Sequence, residues 1–596
     1  MANEQVVDPV EPRVRHPRRR WLWLGLALVV VVLGWDGFRA AQIASALELA
    51  DADVTQLRAD VNASDWAALQ DDAHHLAKDS HAAAAATHDP LWVLTTHVPW
   101  LGTNPREVSV IARSLQIVAR NGVGPLVSSH SLAVVQAHEA GLGTLMGALQ
   151  SDAATISGAV AAVDQANANV QSLHTKDLLP FVRRRVVAAQ GKLARASEQI
   201  HNAGRLAIAA PALLGETRPQ TVLLLFQTPA EPRGTGGLVG AWGELHTDKG
   251  AVSLVDFGAN DGLPQLPVLP AGVNPQIAAD YGPDIQLPQN FNLSASFPDA
   301  AQTFAASWTA GPGKGAHPDA VLSIDPVALG DLLGVIGSVQ AGGTELTSDN
   351  AADVLLRKEY YTYTSVDQAP RVAFLGAVTK AVFERVTSKG YSVAAVARNL
   401  ASSASDGRLL VWSADPTAQQ QWEGLGMAGV LGTPAPGSVR VALNSLDGSK
   451  LGAYLAMTTT VADCKAPGPL ITMSFASQAP ASIPPYAGSH LAGLDATTMR
   501  LSYSVYLSPA WGVEAVTVAG KPIHFSADTE SGWRLIRGTV DIARATTAVV
   551  EVQLVAGHGA SELTQLSVQP QAIPVTTGIT PTAHSGAERC GTTPSG

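Results

Sequence analysis

Residues 226–257 read FQTPAEPRGTGGLVGAWGELHTDKGAVSLVDF, directly after the apolar run Thr221, Val222, Leu223, Leu224 and Leu225. Gly234, Gly236, Gly237 and Gly240 crowd into one short stretch beside Glu231, Arg233 and Thr235. Two readings compete, a phosphate-gripping loop and a turn between strands. No Gly-Lys-Ser/Thr ending follows, so the stretch is not a Walker A loop. Gly234-x-Gly236 is followed by Val239 where the dinucleotide pattern needs a glycine. Residues 238–246 then read as a strand, which leaves no helix N-terminus to hold a phosphate. That strand and the next, residues 251–257, flank Thr247-Asp248-Lys249-Gly250, a hairpin turn with glycine where positive φ is wanted. The stretch therefore reads as strand, glycine-permitted crossover and hairpin. Glu231, Arg233 and Thr235 beside that backbone remain candidates for holding a polar ligand.

Further along, residues 320–324 read as a strand, and Asp325-Pro326 caps and opens a helix carrying Leu329, Leu332 and Leu333. A second helix starts at Thr347 or Ser348 and ends near Arg357, and a longer one covers about residues 369–387. Residues 408–412 and 439–443 look like further strands. Alternating strands and helices predict a layered α/β domain with a mixed sheet over residues 216–457. From 458 to 570 the chain turns to short strands such as LITMSFAS, TMRLSYSVYLS and TAVVEVQLVAG. Those predict a C-terminal antiparallel β-sandwich. The tail, 571–596, is rich in Thr, Pro and Gly and reads as flexible.

Residues 41–215 are Ala-rich, with apolar residues spaced by three and four, as at Val182, Val186, Ala189, Leu193, Ala196 and Ile200. Such seams predict a helical stalk with coiled-coil-like packing. Its last two helices fold back on each other near Lys176-Asp177. Residues 21–35 form an unbroken apolar run preceded by Arg13, Arg15, Arg18, Arg19 and Arg20. Fifteen helical residues span only about 22 Å, short for a bilayer core of about 30 Å, so residues to 43 are needed to extend the run. This predicts a basic cytoplasmic tail over 1–20 and a single transmembrane helix over 21–40. By the positive-inside rule the bulk is extracytoplasmic, and the protein is single-pass in the plasma membrane. The rival is a cleaved signal peptide, with small residues at Ala40, Ala41, Ala44 and Ala46.

At 596 residues the chain is long enough for about three folded units. A net charge of −11 argues against a nucleic-acid partner. Two cysteines, Cys464 and Cys590, are too few for a Cys-rich zinc site. In an exported region they suggest one disulfide, with two unrelated thiols as the alternative. No nucleophile-elbow GxSxG and no HExxH pair occurs.

The stretches LLLFQTPAEPRGTGGLVGAWGELHTDKGAVSLVDF, SFPDAAQTFAASW, DAVLSIDPVALGDLL, GRLLVWSAD and IPPYAGS resemble the actinobacterial family called domain of unknown function 4012. The resemblance covers most of the chain. It implies a membrane-anchored cell-envelope protein and no particular activity. The order of elements is also similar, more distantly, to the LytR-CpsA-Psr phosphotransferases, which move glycopolymers from polyprenyl pyrophosphate to the cell wall. That likeness implies a LytR-CpsA-Psr-like mixed-sheet domain in which Arg233, Arg357 and Arg371 face a pyrophosphate. Asp256 or Asp261 would then hold Mg²⁺, the one cofactor the likeness implies. The phosphotransferases carry an Arg-x-Asp-Thr type of loop, whereas this chain has Arg233-Gly234-Thr235 with no Asp. After the hairpin they carry an Arg-Asp pair, whereas VDFGANDG has acids and no Arg.

These readings converge on a non-catalytic envelope protein that binds a lipid-linked or wall glycopolymer, peptidoglycan included, or the proteins that assemble it. The alternatives are a divergent glycopolymer phosphotransferase and a purely structural or adhesive surface protein. An apolar tunnel beside the arginines would favour a lipid ligand.

Overall fold

The structure is a computed structural model that describes residues 17–580 apart from 64, 100–101, 137–141, 365–367, 389, 463–467 and 560–562. The chain divides into two compact units, residues 1–132 with 152–204, and residues 133–151 with 205–596.

The helical elements begin with α1 (Pro17–Ala63), α2 (Trp66–Ala86), α3 (Pro90–Thr95) and α4 (Thr103–Ile117). A π-helical turn, Val118–Val123, leads into α5 (Gly124–Val127). Then come α6 (His130–Gln136), α7 (Leu142–Ser151), α8 (Ala153–Gln171) and α9 (Pro180–Leu213). In the first unit α1 returns on itself through α2, which Asp65 caps by accepting from the Ala68 amide. Apolar stripes meet here, with Ala50 and Leu57 of α1 against Leu69, Ala73 and Leu76 of α2. The α8–α9 hairpin is also present. Val170, Leu173, Leu178, Val182 and Val186 form its core, and Gln190 of α9 donates to the Val170 carbonyl at 3.2 Å. Asn104 sits inside the first turn of α4, and its side chain accepts from the Leu179 amide.

The expected membrane anchor is corrected. Among the described residues no helix is long and apolar enough to cross a membrane. The single transmembrane helix over 21–40, and the single-pass placement drawn from it, therefore fall. The reason lies in the residues needed to lengthen the short apolar run. Arg39 pairs with Asp89 at 2.8 Å, and the Trp35 indole donates to the same carboxylate at 3.0 Å. Ile43 is wholly buried within the protein. These side chains are committed to polar and packing contacts near the start of α3. Residues 1–16 of the basic tail lie outside the described residues.

In the second unit the quoted stretch builds β1 (Gln220–Arg233), β2 (Gly236–Asp248) and β3 (Ala251–Ala259). Asp248 pairs with Ala251, and Lys249 and Gly250 both have positive φ, which is the geometry of a two-residue type I′ turn. The first turn is tighter still. A Cβ on Gly234 would lie 2.3 Å from the Leu293 carbonyl oxygen, and one on Gly237 would lie 2.2 Å from Thr228 backbone atoms. The glycines allow close backbone approach, but the connection is a two-residue turn between adjacent antiparallel strands and not the crossover expected.

After β3 come α10 (Pro275–Tyr281) and α11 (Phe297–Ala310). Then β4 (Ala320–Ile324) runs into α12 (Pro326–Ile336), with Asp325 capping the helix through the Val327 and Ala328 amides. A small hairpin of β5 (Val339–Ala341) and β6 (Thr344–Leu346) follows. Next are α13 (Ala351–Asp353), a π-helical turn (Val354–Lys358), α14 (Glu359–Thr362), α15 (Ala369–Thr387) and α16 (Val393–Ser405). The domain closes with β7 (Leu409–Ser413) and α17 (Pro416–Gly424). Its sheet has the order β3-β2-β1-β4-β7, with β1 and β4 parallel and the other pairs antiparallel. Leu223 and Leu225 of β1 pack on one face against Trp242, Phe304 and Trp308.

The remaining strands are β8 (Ser438–Ser445), β9 (Leu455–Ala462), β10 (Leu470–Ser477), β11 (Met499–Leu507) and β12 (Trp511–Val518). They continue with β13 (Lys521–Pro522), β14 (Ser526–Glu530), β15 (Trp533–Ile542), β16 (Thr547–Ala556), β17 (Gln565–Val568) and β18 (Thr576–Thr580). They form two sheets, β13-β12-β16-β10-β9-β18 and β14-β15-β11-β8-β17. Their facing residues, among them Leu443, Met473, Tyr503 and Val552, share one core. The sandwich therefore takes in residues 439–443, which were expected in the α/β sheet. It is also not wholly antiparallel, because β17 and β18 pair in parallel with β8 and β9. Part of the expected loose tail is thus a paired strand. The expected Cys464–Cys590 disulfide lies on residues outside the described ones.

Candidate functional site

Along β1 the burial alternates in a telling way. Val222, Leu223 and Leu225 are at most 1 % exposed. Leu224 and Phe226, apolar and facing away from the Trp308 core, are only half-buried. The same holds for Leu238 of β2 and for Leu322 and Ile324 of β4. These side chains line a cavity of about 860 Å³ between the sheet and helices α12, α15 and α16. The opposite wall is Leu329, Leu332, Leu375, Val378, Val382 and Phe383.

The chamber has a direction. Phe383, late in α15, packs beside Val222 and Leu245, whereas Arg371 in its first helical turn reaches the end near Thr228. From Val222 to Thr228 an extended strand covers about 20 Å, which sets the length of the slot. Of the charges lining it, buried Asp325, Glu359 and Lys450 and part-buried Arg371 gather where β1 ends, and exposed Lys249 of the β2–β3 turn also lines it.

That polar end is built by a bulge. The β1–β2 register shifts between Thr228 and Pro232. Pro229 and Pro232 cannot donate to a ladder, and a bulge re-aims its side chains. Glu231, within it, pairs with Arg233 at 2.8 Å and with Lys450, which lies between β8 and β9. Burial pushes the Glu231 carboxyl up, but Lys450 and Arg233 together hold it below the ordinary value. Beside this triad, Glu359 of α14 accepts from Arg371 at 2.9 Å. Burial lifts Glu359 more than Arg371 lowers it, leaving it at about 7. The Tyr486 ring stands 5.7 Å from the Arg371 guanidinium and 5.4 Å from the Lys450 ammonium, so one aromatic ring serves both cations. Asp325 is fixed by Arg408 at 2.6 Å as well as by the α12 amides.

The structure separates the residues singled out in the sequence. Arg371 lines the chamber. Glu231 and Arg233 stand behind Lys450, and the Arg233 guanidinium also donates to the carbonyls of Gln289, Pro232 and Ser445. Thr235 bonds Gln227 and Asn292 under the glycine turn. Arg357 lies outside the chamber lining. It clamps the Ala453 carbonyl of the 3₁₀ turn Leu451–Tyr454 and pairs with Asp353. Asp256 and Asp261 are exposed, and neither lines the chamber. Sequence reasoning missed Glu359, Lys450, Tyr360 and Tyr486. The signals were present, in the acid beside two tyrosines at Glu359-Tyr360-Tyr361 and in the tyrosine of the IPPYAGS stretch.

No three His, Cys, Asp or Glu side chains among the described residues gather to hold a metal ion. The polar end offers a Glu already shared by two cations and a Glu paired with Arg371, which is a poor donor set for Mg²⁺.

No curated protein and no solved structure matches the chain. Residues 217–360, which carry β1 to β4, the bulge, Asp325 and Glu359, match the model of the family described as "Protein of unknown function (DUF4012)".

Proposed function

We propose that this chain binds an amphiphile, with a hydrocarbon chain in the slot between the sheet and α15 and a polar end toward Glu359, Arg371 and Lys450. One observation carries the reading. The apolar face of the sheet is half-buried over a cavity of about 860 Å³ whose buried charges sit at one end. Ligand pockets span roughly 300–1,000 Å³, so this one has the size of a site. Each buried methylene contributes about 0.8 kcal/mol. Ten would supply about 8 kcal/mol before the entropy of ordering the chain, so micromolar affinity is the upper bound that ten methylenes alone set.

A polyprenyl-linked glycopolymer, the amphiphile implied by the LytR-CpsA-Psr resemblance, is one member of this class. Peptidoglycan, with no hydrocarbon chain, suits the chamber less well. Magnesium-assisted transfer would need carboxylates available at the polar end. Asp256 and Asp261 lie away from it, and Glu231 is held by Arg233 and Lys450. Binding is therefore the function the geometry supports best.

Isothermal titration calorimetry of the full chain with 1-decanol tests the reading. Saturable one-site binding is expected, and it should be lost in Leu375→Trp and Val382→Trp, which fill the chamber. Decanol binding unaffected by both substitutions, in variants that melt as the parent does, would refute it.

A further inference from the structure

Resting on that reading, we propose that the chamber takes amphiphiles with an oxyanion head. The oxyanion replaces Glu359 as the counter-charge of Arg371, and Glu359 takes up one proton from solvent as it binds.

The geometry behind this is local. Glu359 and Arg371 lie on different helices and meet through Oε1 alone. Glu359 Oε2 is buried and accepts no hydrogen bond among the described residues. The Tyr360 hydroxyl comes close enough to favour charge on the carboxyl without bonding Oε2. A buried acceptor without a donor is costly, and a neutral carboxyl would relieve that cost by removing the charge and giving the group a donor.

Charge points the same way. The groups facing Glu359 are Arg371 from α15, Lys450 from the β8–β9 connection with Glu231 of β1 behind it, its neighbour Tyr360, and Tyr486 from the loop before β11. With Arg233 of the triad and the Asp325–Arg408 pair, four cations face three carboxylates, so the end carries one excess positive charge. A carboxylate and an oxyanion sharing Arg371 in a dry pocket repel, and the weaker acid gives up its charge. Glu359, lifted by burial to about 7, is that acid.

Decanesulfonate is the probe, because its head stays ionised throughout and any proton counted belongs to the protein. Binding to the full chain is measured by calorimetry from pH 6 to 9 in buffers of differing ionisation enthalpy. Above pH 7 the affinity should fall by up to about tenfold per pH unit, with close to one proton taken up. Glu359→Gln should bind decanesulfonate with no proton uptake and a flat pH profile. Arg371→Gln should lose decanesulfonate yet keep decanol, which also shows that it folds. Methanesulfonate should bind far more weakly than decanesulfonate, and tight binding of this head alone would assign the site to a free oxyanion and overturn the proposal. A flat profile in the parent, or an unchanged slope in Glu359→Gln, would overturn it too. Decanol binding without decanesulfonate binding would sink the proposal while sparing the chamber, whereas failure of both ligands would sink the chamber reading itself.

Discussion

Replacing Glu231 by Gln tests the polar end most directly. The side chains of Glu231 and Arg233 are each 6 % exposed and that of Lys450 is 8 %. With an effective dielectric near 20, a charge pair at the 2.8 Å seen for Arg233 is worth about 6 kcal/mol of gross attraction. Most of that is offset by desolvation already incurred, and removing one partner of a buried pair costs a net 3–5 kcal/mol or so. Glu231 serves two cations, so the expected loss lies at the upper end, about 5 kcal/mol. Lys450 lies between two sandwich strands and Glu231 on the α/β sheet, so the loss should also loosen the docking of one on the other. Urea unfolding followed by tryptophan fluorescence reads the change. The sign with pH is fixed, because the folded-state carboxyl lies below its ordinary value. Its contribution is present above the unfolded value of about 4.5 and fades as pH falls through the lower folded one. Parent and variant should therefore differ at pH 7 and converge in acid. Adding Lys450→Met to Glu231→Gln leaves one uncompensated cation in place of two and should restore about half of the loss. A Glu231→Gln cost below about 1 kcal/mol at pH 7 would refute the triad as a stabilising contact.

Glu359 has the opposite sign. Its folded value of about 7 exceeds the ordinary 4.5, so the fold binds more protons than the unfolded chain between those values. Stability should fall by about 3 kcal/mol as pH rises through that window, and thermal melts of Glu359→Gln should lack that part of the slope. Asp325→Ala removes both a helix cap and the partner of buried Arg408. It should lower stability by about 3–5 kcal/mol in chemical denaturation, with Asp325→Asn, which keeps the cap, losing less. Gly237→Ala places a Cβ 2.2 Å from Thr228 backbone atoms and should destabilise by at least about 3 kcal/mol. Gly240→Ala has nothing within 4 Å and should stay within about 0.5 kcal/mol of the parent, so equal melting of the two would refute the close-approach account.

What the sequence made legible was local. The Lys249-Gly250 turn, the Asp325-Pro326 start of α12 and the α8–α9 hairpin each follow from chemistry within a few residues. Partner choice was not legible. Val439, Val441 and Leu443 carry the same apolar alternation whichever sheet receives them, and pairing with β11 and β17 places their strand in the sandwich. The anchor failed for a like reason. The apolar run was visible, but the claim of Asp89 on Trp35 and Arg39 from 50 or more residues away was not. In the site, Arg371 is singled out only by the LytR-CpsA-Psr likeness, whereas Lys450 lies 219 residues from its carboxylate.

The chamber shows a deeper limit. Val222-Leu223-Leu224-Leu225-Phe226 reads as a strand buried on both faces, and hydropathy assigns both faces alike to the protein interior. Leu223 and Leu225 do bury against Phe304 and Trp308. Leu224 and Phe226 are no less apolar, yet face open volume. A sequence specifies that a side chain avoids water, not what excludes the water. Close-packed interiors leave few voids larger than a water molecule, and at about 24 cal/mol per Å³ a dry void of 860 Å³ would cost on the order of 20 kcal/mol. That exceeds the net stability of most domains. Without a ligand the slot must therefore hold water against hydrocarbon walls, which favours an apolar chain as its occupant.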